Sequence, residues 1–299
     1  MEEDLAGILA EALKYVGAFA GKTVVVKVGG STLGSHDTTL DDIVTLQRLG
    51  VATVVVHGGG AAISQWLRRL GGEPRFVNGL RVTDPETMEV VLMTLAGKVN
   101  KELVAGLQTR GGRAVGFSGI DGGVLVGRRK SEELGQVGVV TAVQLDLVRA
   151  VTAAGFVPVI APIAIGDNGE ALNLNADTAA AEVAVALKAE KLIFLTDVPG
   201  IKGADGNVVS HLTAQQVRDL IASGVISGGM IPKAEACLRG LAGAARSHII
   251  DGRAPHALIR ELFTDRGVGT MMVADHIALN GNAPTAGDST VEVGDAKLA

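Results

Sequence analysis

Residues 24–30, Val-Val-Val-Lys-Val-Gly-Gly, predict a buried β-strand that ends in a glycine pair. The β-branched run is typical of a strand covered on both faces of a parallel sheet. Lys27 is unusual, because lysine rarely lies inside such a strand unless it is paired. Gly29 and Gly30 can present N–H groups to an anion at the carboxyl edge, where open α/β sheets bind ligands. The stretch favours a phosphate site, although a lysine that reaches solvent beside an ordinary turn fits the same residues.

A second unit of strand, glycine turn and helix follows in residues 51–70. A predicted strand over 51–56 runs into His57-Gly-Gly-Gly60, and a predicted helix over 61–70 begins directly after it. The free N–H groups at such a helix start bind anions. Adjacent parallel strands would bring this turn next to the first glycine pair. Together the two turns predict one ligand site at one edge of the sheet.

Two other interpretations of these glycine-rich segments fail on context. Residues 17–23 imitate a Walker A loop, but three residues separate the glycines and the segment precedes a strand, whereas a P-loop has four and follows one. The His-Gly-Gly-Gly motif also occurs in α/β-hydrolases, which require a Gly-x-Ser-x-Gly elbow. The nearest candidate, around Ser118, has Ile120 in place of the last glycine. We therefore reject the P-loop and hydrolase interpretations.

The rest of the sequence alternates predicted helices and strands, as in an α/β fold. Helices are predicted over residues 3–19, 40–49, 84–108, 146–154, 178–188, 213–223, 230–245 and 256–263, and strands over 113–117, 123–126, 136–143, 157–163, 192–195, 247–251 and 268–273. Clusters of Gly, Pro, Asn and Asp separate many of them. From residue 283 onwards the small, polar composition predicts a flexible tail.

Composition excludes several classes of protein. A net charge of -5 does not favour nucleic-acid binding, and no apolar run in the sequence approaches the roughly 18 residues of a membrane helix. Cys237, the single cysteine, can form neither an internal disulfide nor a cysteine metal cluster. With 41 glycines against 6 Phe, 1 Tyr and 1 Trp, ligand binding must depend on backbone N–H groups and charged side chains. These features predict a soluble, cytoplasmic protein that binds small charged ligands.

Several charged or amide side chains stand at predicted strand ends or helix starts. Arg81 could hold a carboxylate bidentately, or it could lie on the surface. Asn173, Asn175 and Asp177 precede an alanine-rich helix. Asp177 could cap that helix, while the alternating asparagines could point to one face of an extended segment. Lys233, near the start of another helix, is unfavourable to the helix dipole unless an anion lies between them.

Six segments, taken in order, resemble the amino-acid kinase family. They are Lys27-Val-Gly-Gly-Ser, His57-Gly-Gly-Gly, Asn78-Gly-Leu-Arg-Val-Thr, Asn173-Leu-Asn-Ala-Asp, Leu195-Thr-Asp-Val-Pro-Gly and Gly228-Gly-Met-Ile-Pro-Lys233. The resemblance covers residues 22–272 and implies a three-layer α/β/α sandwich with a central, mainly parallel sheet. It implies an N-terminal oligomerisation helix (1–20), an N-lobe for acetylamino-acid binding and dimerisation (21–190) and a C-lobe for ATP and arginine (191–275). Residues 276–299 have no counterpart in the family, and we expect a flexible tail there.

The resemblance also implies an activity, the ATP-dependent phosphorylation of the γ-carboxylate of N-acetyl-L-glutamate in arginine biosynthesis. Lys27 and Lys233 would neutralise charge on the transferring phosphoryl group, Asp177 would hold both lysines, and Mg²⁺ would be carried by the ATP phosphates without a protein metal site. The other implied contacts are substrate binding by Gly59, Gly60, Arg81, Asn173 and Asn175, and phosphate or ATP binding by Gly29, Gly30, Gly60, Thr196, Asp197 and Gly229. A carboxylate nucleophile is already ionised at pH 7, so no general base is required and His57 is interpreted as structural. One departure, Ile120 where the family often has lysine, puts local contacts there in doubt.

The N-terminal helix with Tyr15 resembles that of arginine-inhibited family members, where it joins dimers into a hexamer, a trimer of dimers. His256, Glu261 and Gly267 resemble their arginine site, although an ordinary capping helix and a strand turn fit the same residues. Binding of a PII-type regulator stays open. Two alternative functions also remain: a kinase for acetylated or carrier-linked aminoadipate, one methylene longer, and a non-catalytic arginine-sensing scaffold, against which the intact lysines and aspartate argue.

Overall fold

The computed structural model describes residues 13–29, 38–264 and 267–277. Gly30, predicted to bind phosphate, lies outside these ranges, as do residues 1–12 of the predicted N-terminal helix and residues 278–299 of the predicted tail. Residues 13–19 are helical, in agreement with the end of that predicted helix. Within the described ranges, no helix is long and apolar enough to cross a membrane.

The strands of the described residues form one large sheet and two small ones. The strands are β1 (Thr23–Val28), β2 (Ala52–His57), β3 (Phe76–Val77), β4 (Leu80–Arg81), β5 (Ala114–Ser118), β6 (Leu125–Arg129), β7 (Gly138–Val143), β8 (Val157–Ala161), β9 (Ile163–Ile165), β10 (Ala171–Asn173), β11 (Lys191–Thr196), β12 (His211–Thr213), β13 (Arg246–Asp251) and β14 (Thr270–Val273). The large sheet has the order β12-β14-β13-β11-β1-β2-β8-β5. Its neighbouring strands are parallel except β13 and β14, so the predicted mainly parallel sheet is confirmed.

Side chains of the central strands alternate between two separate hydrophobic cores. In β1, Val24, Val26 and Val28 belong to one core and Val25 belongs to the other. Because successive side chains of a strand point to opposite faces, each face of the sheet has its own core. Both faces must therefore be covered by helices, which gives the three layers of an α/β/α sandwich.

Helices cover both faces. They are α1 (residues 13–19 of the described chain), α2 (Thr39–Arg48), α3 (Gly60–Arg69), α4 (Pro85–Leu92), α5 (Asn100–Thr109), α6 (Asp146–Ala153), α7 (Ala176–Leu187), α8 (Ala214–Ala222), α9 (Met230–Gly240) and α10 (Ala257–Phe263). Residues of α2, α5 and α10 join the core that contains Val24, and residues of α6, α7, α8 and α9 join the core that contains Val25. The two sets lie on opposite faces of the sheet.

The structure differs from the sequence predictions in three places. Pro162 divides the single strand predicted over 157–163 into β8 of the large sheet and β9 of a small sheet of order β10-β9-β6-β7. Proline has no N–H to donate and cannot continue the ladder. The helix predicted over 84–108 contains a π-helical turn at Met93–Val99. The helix predicted to run to residue 245 ends at Gly240.

Gly135 lies against the backbone of Thr83, and substitution of this glycine tests how much the close contact contributes to stability. Gly135 has a φ of +66°, and a Cβ there would lie 2.3 Å from the Thr83 carbonyl oxygen. Gly135→Ala should lower the free energy of unfolding by about 2–4 kcal/mol, because backbone strain and a backbone clash add together. Gly123 is a matched control, because its φ is +63° but no described atom lies within 4 Å of an added Cβ. Gly123→Ala should lose only about 1 kcal/mol. Urea unfolding compares the two, and equal losses would contradict the role of the contact.

Candidate active site

Gly29 and the second glycine turn, residues 58–60, lie side by side at the carboxyl edge of the large sheet. β1 and β2 are parallel neighbours, with Val28 in register with His57. The Gly58 N–H donates to the Val28 carbonyl at 2.9 Å. Gly29 and the second turn border a cleft of about 360 Å³, at the edge of the sheet where the sequence predicts a ligand site. Its lining includes Lys27, Gly29, Gly58, Gly59, Gly60, Arg81, Asn173, Asn175 and Asp177.

Asp177 lies between the two predicted lysines. Its Oδ1 is 2.8 Å from Lys27 Nζ, and its Oδ2 is 3.0 Å from Lys233 Nζ. Lys27 and Asp177 are buried, and Lys233 is half-buried. Burial by itself would raise the pKa of the Asp177 carboxyl, but the two ammonium groups outweigh it and hold this pKa below its ordinary value. The contacts predicted for this carboxylate are present, while its catalytic role stays a prediction.

Strand alternation explains how Lys27 reaches Asp177. Lys27 points to the same face as Val25, and that face is covered by α7, which carries Asp177 in its first turn. Asn175 is the N-cap of α7, and its Oδ1 accepts the N–H groups of Asp177 and Thr178 at 2.9 and 3.0 Å. The interpretation of Asp177 as the cap is therefore wrong. Because Asn175 satisfies the helix end, the Asp177 carboxylate is available to both lysines.

Arg81 is buried beside the second glycine turn. One terminal nitrogen donates to the Gly60 carbonyl and to Ser64 Oγ, both at 2.8 Å. The other terminal nitrogen is buried and has no hydrogen-bond acceptor among the residues that the structure describes. The guanidinium carbon lies 4.7 Å from the centre of the Phe76 ring. Burial, followed by the charge of Arg68, lowers the pKa of the guanidinium, which nevertheless remains charged at pH 7. It can therefore bind an anionic group in the cleft.

The two predicted asparagines both line the cleft but have different hydrogen bonds. Asn173 Nδ2 donates to Thr83 Oγ1 at 3.0 Å, and Thr83 Oγ1 donates to the Arg81 carbonyl at 2.9 Å. Thr83, which is not among the predicted site residues, thus joins Asn173 to the strand that carries Arg81. Asn175 uses its amide oxygen for the cap of α7, so it has only its amide N–H groups left for a ligand. Both substrate contacts stay predictions.

A buried hydrogen-bond network lies behind the second turn. His57 Nδ1 is 2.9 Å from the Gly58 carbonyl oxygen, and Asn100 Nδ2 is 3.2 Å from His57 Nε2. A carbonyl only accepts, so the proton lies on Nδ1 and Nε2 accepts from Asn100. The structural role predicted for His57 agrees with this network, whereas Asn100 is not among the residues predicted from the sequence. The available signal was a polar residue at helical spacing with Leu103 and Leu107, both buried.

The buried histidines predict an acid-sensitive stability. Burial lowers the pKa of His57 and of His248 to about 4, while each titrates near 6.5 in an unfolded chain. Between these values the unfolded state binds more protons, so stability falls as the pH falls through this window. The free energy of unfolding should drop by about 2 kcal/mol per histidine between pH 7 and pH 5. Urea unfolding at both pH values checks this, and His57→Asn should remove about half of the drop. An unchanged slope in that variant would contradict the assignment.

The residues predicted to bind ATP lie on the neighbouring strand end and on α9. β11 is parallel to β1, with Leu195 in register with Val28, so Thr196 and Asp197 follow next to Gly29. Thr196 is buried and its Oγ1 accepts the Val198 N–H at 3.0 Å, while Asp197 is exposed. Gly229 is the residue directly before α9, the helix that carries Lys233. These positions do not belong to the cleft lining described above, and their roles stay predictions.

The residues predicted to bind arginine fall into two groups. Glu261 Oε1 lies 2.6 Å from His248 Nδ1, and Glu261 Oε2 accepts the Val268 N–H at 2.8 Å. A Cβ on Gly267 would come within 2.9 Å of the same carboxylate. His256 instead lies with its Nδ1 2.7 Å from Asp42 Oδ1.

The helix with Tyr15 shares a hydrophobic core with α10. Tyr15 and Phe19 of α1 and Leu262 of α10 belong to this core or pack against it. Glu261, also on α10, has a pKa that burial by itself would raise, but His248 and Lys191 lower it to about 2. The elements that carry the predicted arginine residues are thus adjacent, while effector binding itself stays a prediction.

The structure is an α/β/α sandwich with a cleft lined by cationic side chains at the carboxyl edge of its large sheet. Residues 22–251 match the amino acid kinase family, and the chain belongs to that family. It is a kinase by class, as are its curated relatives. An acetylglutamate kinase of Synechococcus elongatus is 50% identical over 278 residues, which cover 90% of this chain and 92% of that protein. One of Symbiobacterium thermophilum is 48% identical over 286 residues, covering 90% and 98%.

Solved structures share the fold. N-acetylglutamate synthase from Neisseria gonorrhoeae, complexed with coenzyme A and N-acetyl-glutamate, has a TM-score of 0.80 and 28% identity, and the match covers 91% of this chain. The same synthase complexed with coenzyme A and L-arginine has a TM-score of 0.77 and 26% identity over 90% of this chain. The chain spans 64% and 65% of the two synthase chains. A carbamate kinase from Giardia lamblia bound to AMP-PNP, with a TM-score of 0.60 and 15% identity over 86% of this chain and 99% of its own, supports the fold alone.

Proposed function

We propose that the protein transfers the γ-phosphoryl group of ATP to the γ-carboxylate of N-acetyl-L-glutamate, a step of arginine biosynthesis. The observation that carries the proposal is Asp177 between Lys27 and Lys233, at 2.8 and 3.0 Å, beside Gly29 and the second glycine turn. The relatives that are 48–50% identical and carry the name acetylglutamate kinase support it. So does the synthase structure that contains N-acetyl-glutamate.

The reaction requires two anions to approach each other. The attacking carboxylate is ionised at pH 7, so the protein need not remove a proton from it. Its work is to position the reactants and to stabilise charge that spreads over the transferring phosphoryl oxygens. Lys27 and Lys233 supply this positive charge, and Asp177 holds them in place. The N–H groups of Gly29, Gly30 and Gly60 bind phosphate oxygens.

The same cleft orients the acceptor. Arg81 binds the α-carboxylate through the terminal nitrogen that has no acceptor among the described residues. Asn173 binds the acetamido end, and Asn175 and Gly59 also contact the substrate. In this proposal residues 21–190 form the acetylamino-acid lobe and residues 191–275 the ATP lobe. ATP lies over the second lobe, against Thr196, Asp197 and Gly229. We assign Mg²⁺ to the ATP phosphates, since it commonly bridges phosphate oxygens, and the lysine and N–H donors of the cleft fit such a polyanion.

Trapping of the acyl phosphate tests the proposal. The protein is incubated with ATP, Mg²⁺ and hydroxylamine, with N-acetyl-L-glutamate or N-acetyl-L-aminoadipate as acceptor. Preferential hydroxamate formation from N-acetyl-L-glutamate is the expected result. Turnover of the longer acceptor alone would favour the aminoadipate alternative, in which one methylene decides by about 1–3 kcal/mol. Turnover of neither would overturn the proposed reaction.

We further propose that L-arginine inhibits the enzyme and that the protein forms a hexamer, a trimer of dimers. The arginine site comprises Tyr15, His256, Glu261 and Gly267. The shared core of α1 and α10 supports it, because both carry residues of this site. The buried Glu261 carboxylate offers a counter-charge for a guanidinium. The synthase that is complexed with L-arginine provides independent support.

Deletion of residues 1–20 tests the regulatory proposal. The truncated protein should lose arginine inhibition and sediment as a dimer, because the helix that joins dimers is gone. Hydroxamate assays with and without L-arginine, together with analytical ultracentrifugation, measure both properties. The full-length protein in the same buffer is the control. A truncated hexamer that is still inhibited would contradict the role of the helix.

A further inference from the structure

The second glycine turn is held from behind by two side chains that the proposed chemistry does not use. Asn100 and His57 are both fully buried, at 0% and 1% exposure. His57 is the last residue of β2 and directly precedes Gly58. Asn100 is the first residue of α5, directly after the π-helical turn Met93–Val99. Such turns inside helices often occur at functional sites.

Asn100 is fixed on both sides of its amide. Its Oδ1 accepts from Lys101 Nζ at 3.0 Å, which identifies the other amide atom as nitrogen. That Nδ2 donates to the Val159 carbonyl of β8 at 2.9 Å and faces His57 Nε2 at 3.2 Å. Strand β5 leaves room for the amide only because its residue 116 is glycine. A Cβ at this position would lie 2.0 Å from Asn100 Oδ1. The amide therefore has one orientation, and it holds the histidine with its proton on Nδ1.

His57 in turn fixes one peptide plane of the turn. Its Nδ1–H donates to the Gly58 carbonyl at 2.9 Å. No peptide bond in the described residues is cis, and in a trans peptide the carbonyl and the following N–H point in opposite directions. The Gly58 carbonyl points towards His57 and α5, so the Gly59 N–H points to the other side. Among the described residues this N–H has no hydrogen-bond acceptor.

We propose that His57 and Asn100 are positioning residues that aim the Gly59 N–H at the anionic groups bound in the cleft. Gly58 and Gly59 both line the cleft, on the edge that also holds Lys27. A preorganised N–H aimed at developing charge acts most strongly in the transition state. The inference rests on the proposed function, which supplies the transferring phosphoryl group. Neither side chain touches the ligand, and both act through the backbone of the turn.

Two substitutions of His57 separate positioning from packing. In asparagine the amide nitrogen is as many bonds from Cα as histidine Nδ1, so His57→Asn can still donate to the Gly58 carbonyl. In glutamine the amide lies at the position of Nε2, so His57→Gln keeps a partner for Asn100 and loses the donor to Gly58. Both variants remove the ring. We expect kcat to fall about 10- to 100-fold in His57→Gln and less than about threefold in His57→Asn.

Asn100 is tested by the near-isosteric Asn100→Leu variant. It should lower kcat as much as His57→Gln does, and the double variant should lose less than about twofold more, because both act through one peptide plane. In each variant kcat should fall and the KM for ATP should rise about 10-fold, since the Gly59 N–H contacts the bound phosphate before transfer and more strongly in the transition state. Rates are expressed per folded enzyme, with the folded fraction taken from thermal unfolding. Equal losses in His57→Asn and His57→Gln, or no loss in either, would overturn the inference.

A separate binding experiment distinguishes failure of the inference from failure of the proposed function. Calorimetric titration with ATP and Mg²⁺ requires no turnover. If the unsubstituted protein binds ATP but phosphorylates no acceptor, the proposed function fails. The inference is then tested by the affinity of the His57 variants for ATP. ATP should then bind His57→Gln about 10-fold more weakly than His57→Asn. Equal affinities would overturn the inference.

Discussion

Lys233→Met should lower kcat by about 100- to 1,000-fold, because it removes a positive charge beside the transferring phosphoryl group. Methionine fills a similar volume without charge, so the packing of α9 should persist. Lys233 is the more exposed of the two lysines, with 24% of its side chain accessible against 9% for Lys27. Its removal leaves Asp177 paired with Lys27, so the thermal midpoint should change little. Steady-state kinetics with the hydroxamate assay measures kcat and the KM for ATP.

Lys130→Met is the matched control for this substitution. Lys130 is exposed, follows β6 directly, and does not belong to the cleft lining. Its replacement should leave kcat within about twofold of the unsubstituted protein, as most surface substitutions do. A Lys233→Met enzyme with unchanged kcat would contradict the placement of Lys233 at the phosphoryl group. The proposed function would then lose its main support, because it depends on Lys233 acting at the phosphoryl group.

Arg81→Met should raise the KM for N-acetyl-L-glutamate by about 30- to 150-fold while kcat changes far less. The reason is that Arg81 is proposed to bind the non-reacting α-carboxylate, a contact of similar strength in the ground state and the transition state. Arg81→Lys should recover little of the loss. An ammonium group cannot replace a planar guanidinium that donates to Gly60, to Ser64 and to a carboxylate at the same time. The KM for ATP should remain close to its original value.

Arg75→Met is the control for Arg81. Arg75 lies directly before β3 of the same hairpin, but it pairs with the partly exposed Asp84, and 66% of its side chain is accessible. An exposed ion pair contributes about 0–1 kcal/mol to stability, so this variant should keep its KM for both substrates. An equal rise in KM in both variants would show that the hairpin as a whole, rather than the Arg81 guanidinium, determines acceptor binding.

The residues around β1 show why the sequence predicted much of the fold and part of the site. A run of valines has few alternatives to a buried parallel strand, and Lys27 inside it was conspicuous because charge is costly there. The glycine turns had to meet once β1 and β2 were parallel neighbours. Local pattern therefore predicted the edge of the sheet at which the cleft lies. The pairing of Lys27 with a residue 150 positions further on came only from resemblance to a family.

The parts that could not be predicted depend on competition between neighbouring residues and on tertiary contacts. Asn175 and Asp177 are both good N-caps, and only the backbone of the folded chain decides that Asn175 takes the cap. Pro162 predicts a break, but not that the chain continues into a different sheet. Asn100 gave only a weak signal, because a polar residue in an apolar stripe does not reveal which strand ends it will meet.

The alternation along β1 has an evolutionary consequence. Positions 24, 26 and 28 fill one core, while position 27 serves the opposite face with its lysine. Substitution among aliphatic side chains at the first three positions alters packing alone. The residues on this buried face of the strand can therefore differ between lineages. Insertion or deletion of a single residue within the strand exchanges the two faces and places the ammonium in the wrong core. The strand can therefore exchange aliphatic residues at these three positions but can hardly change its length, and a library of single-residue insertions should recover almost no active clones there.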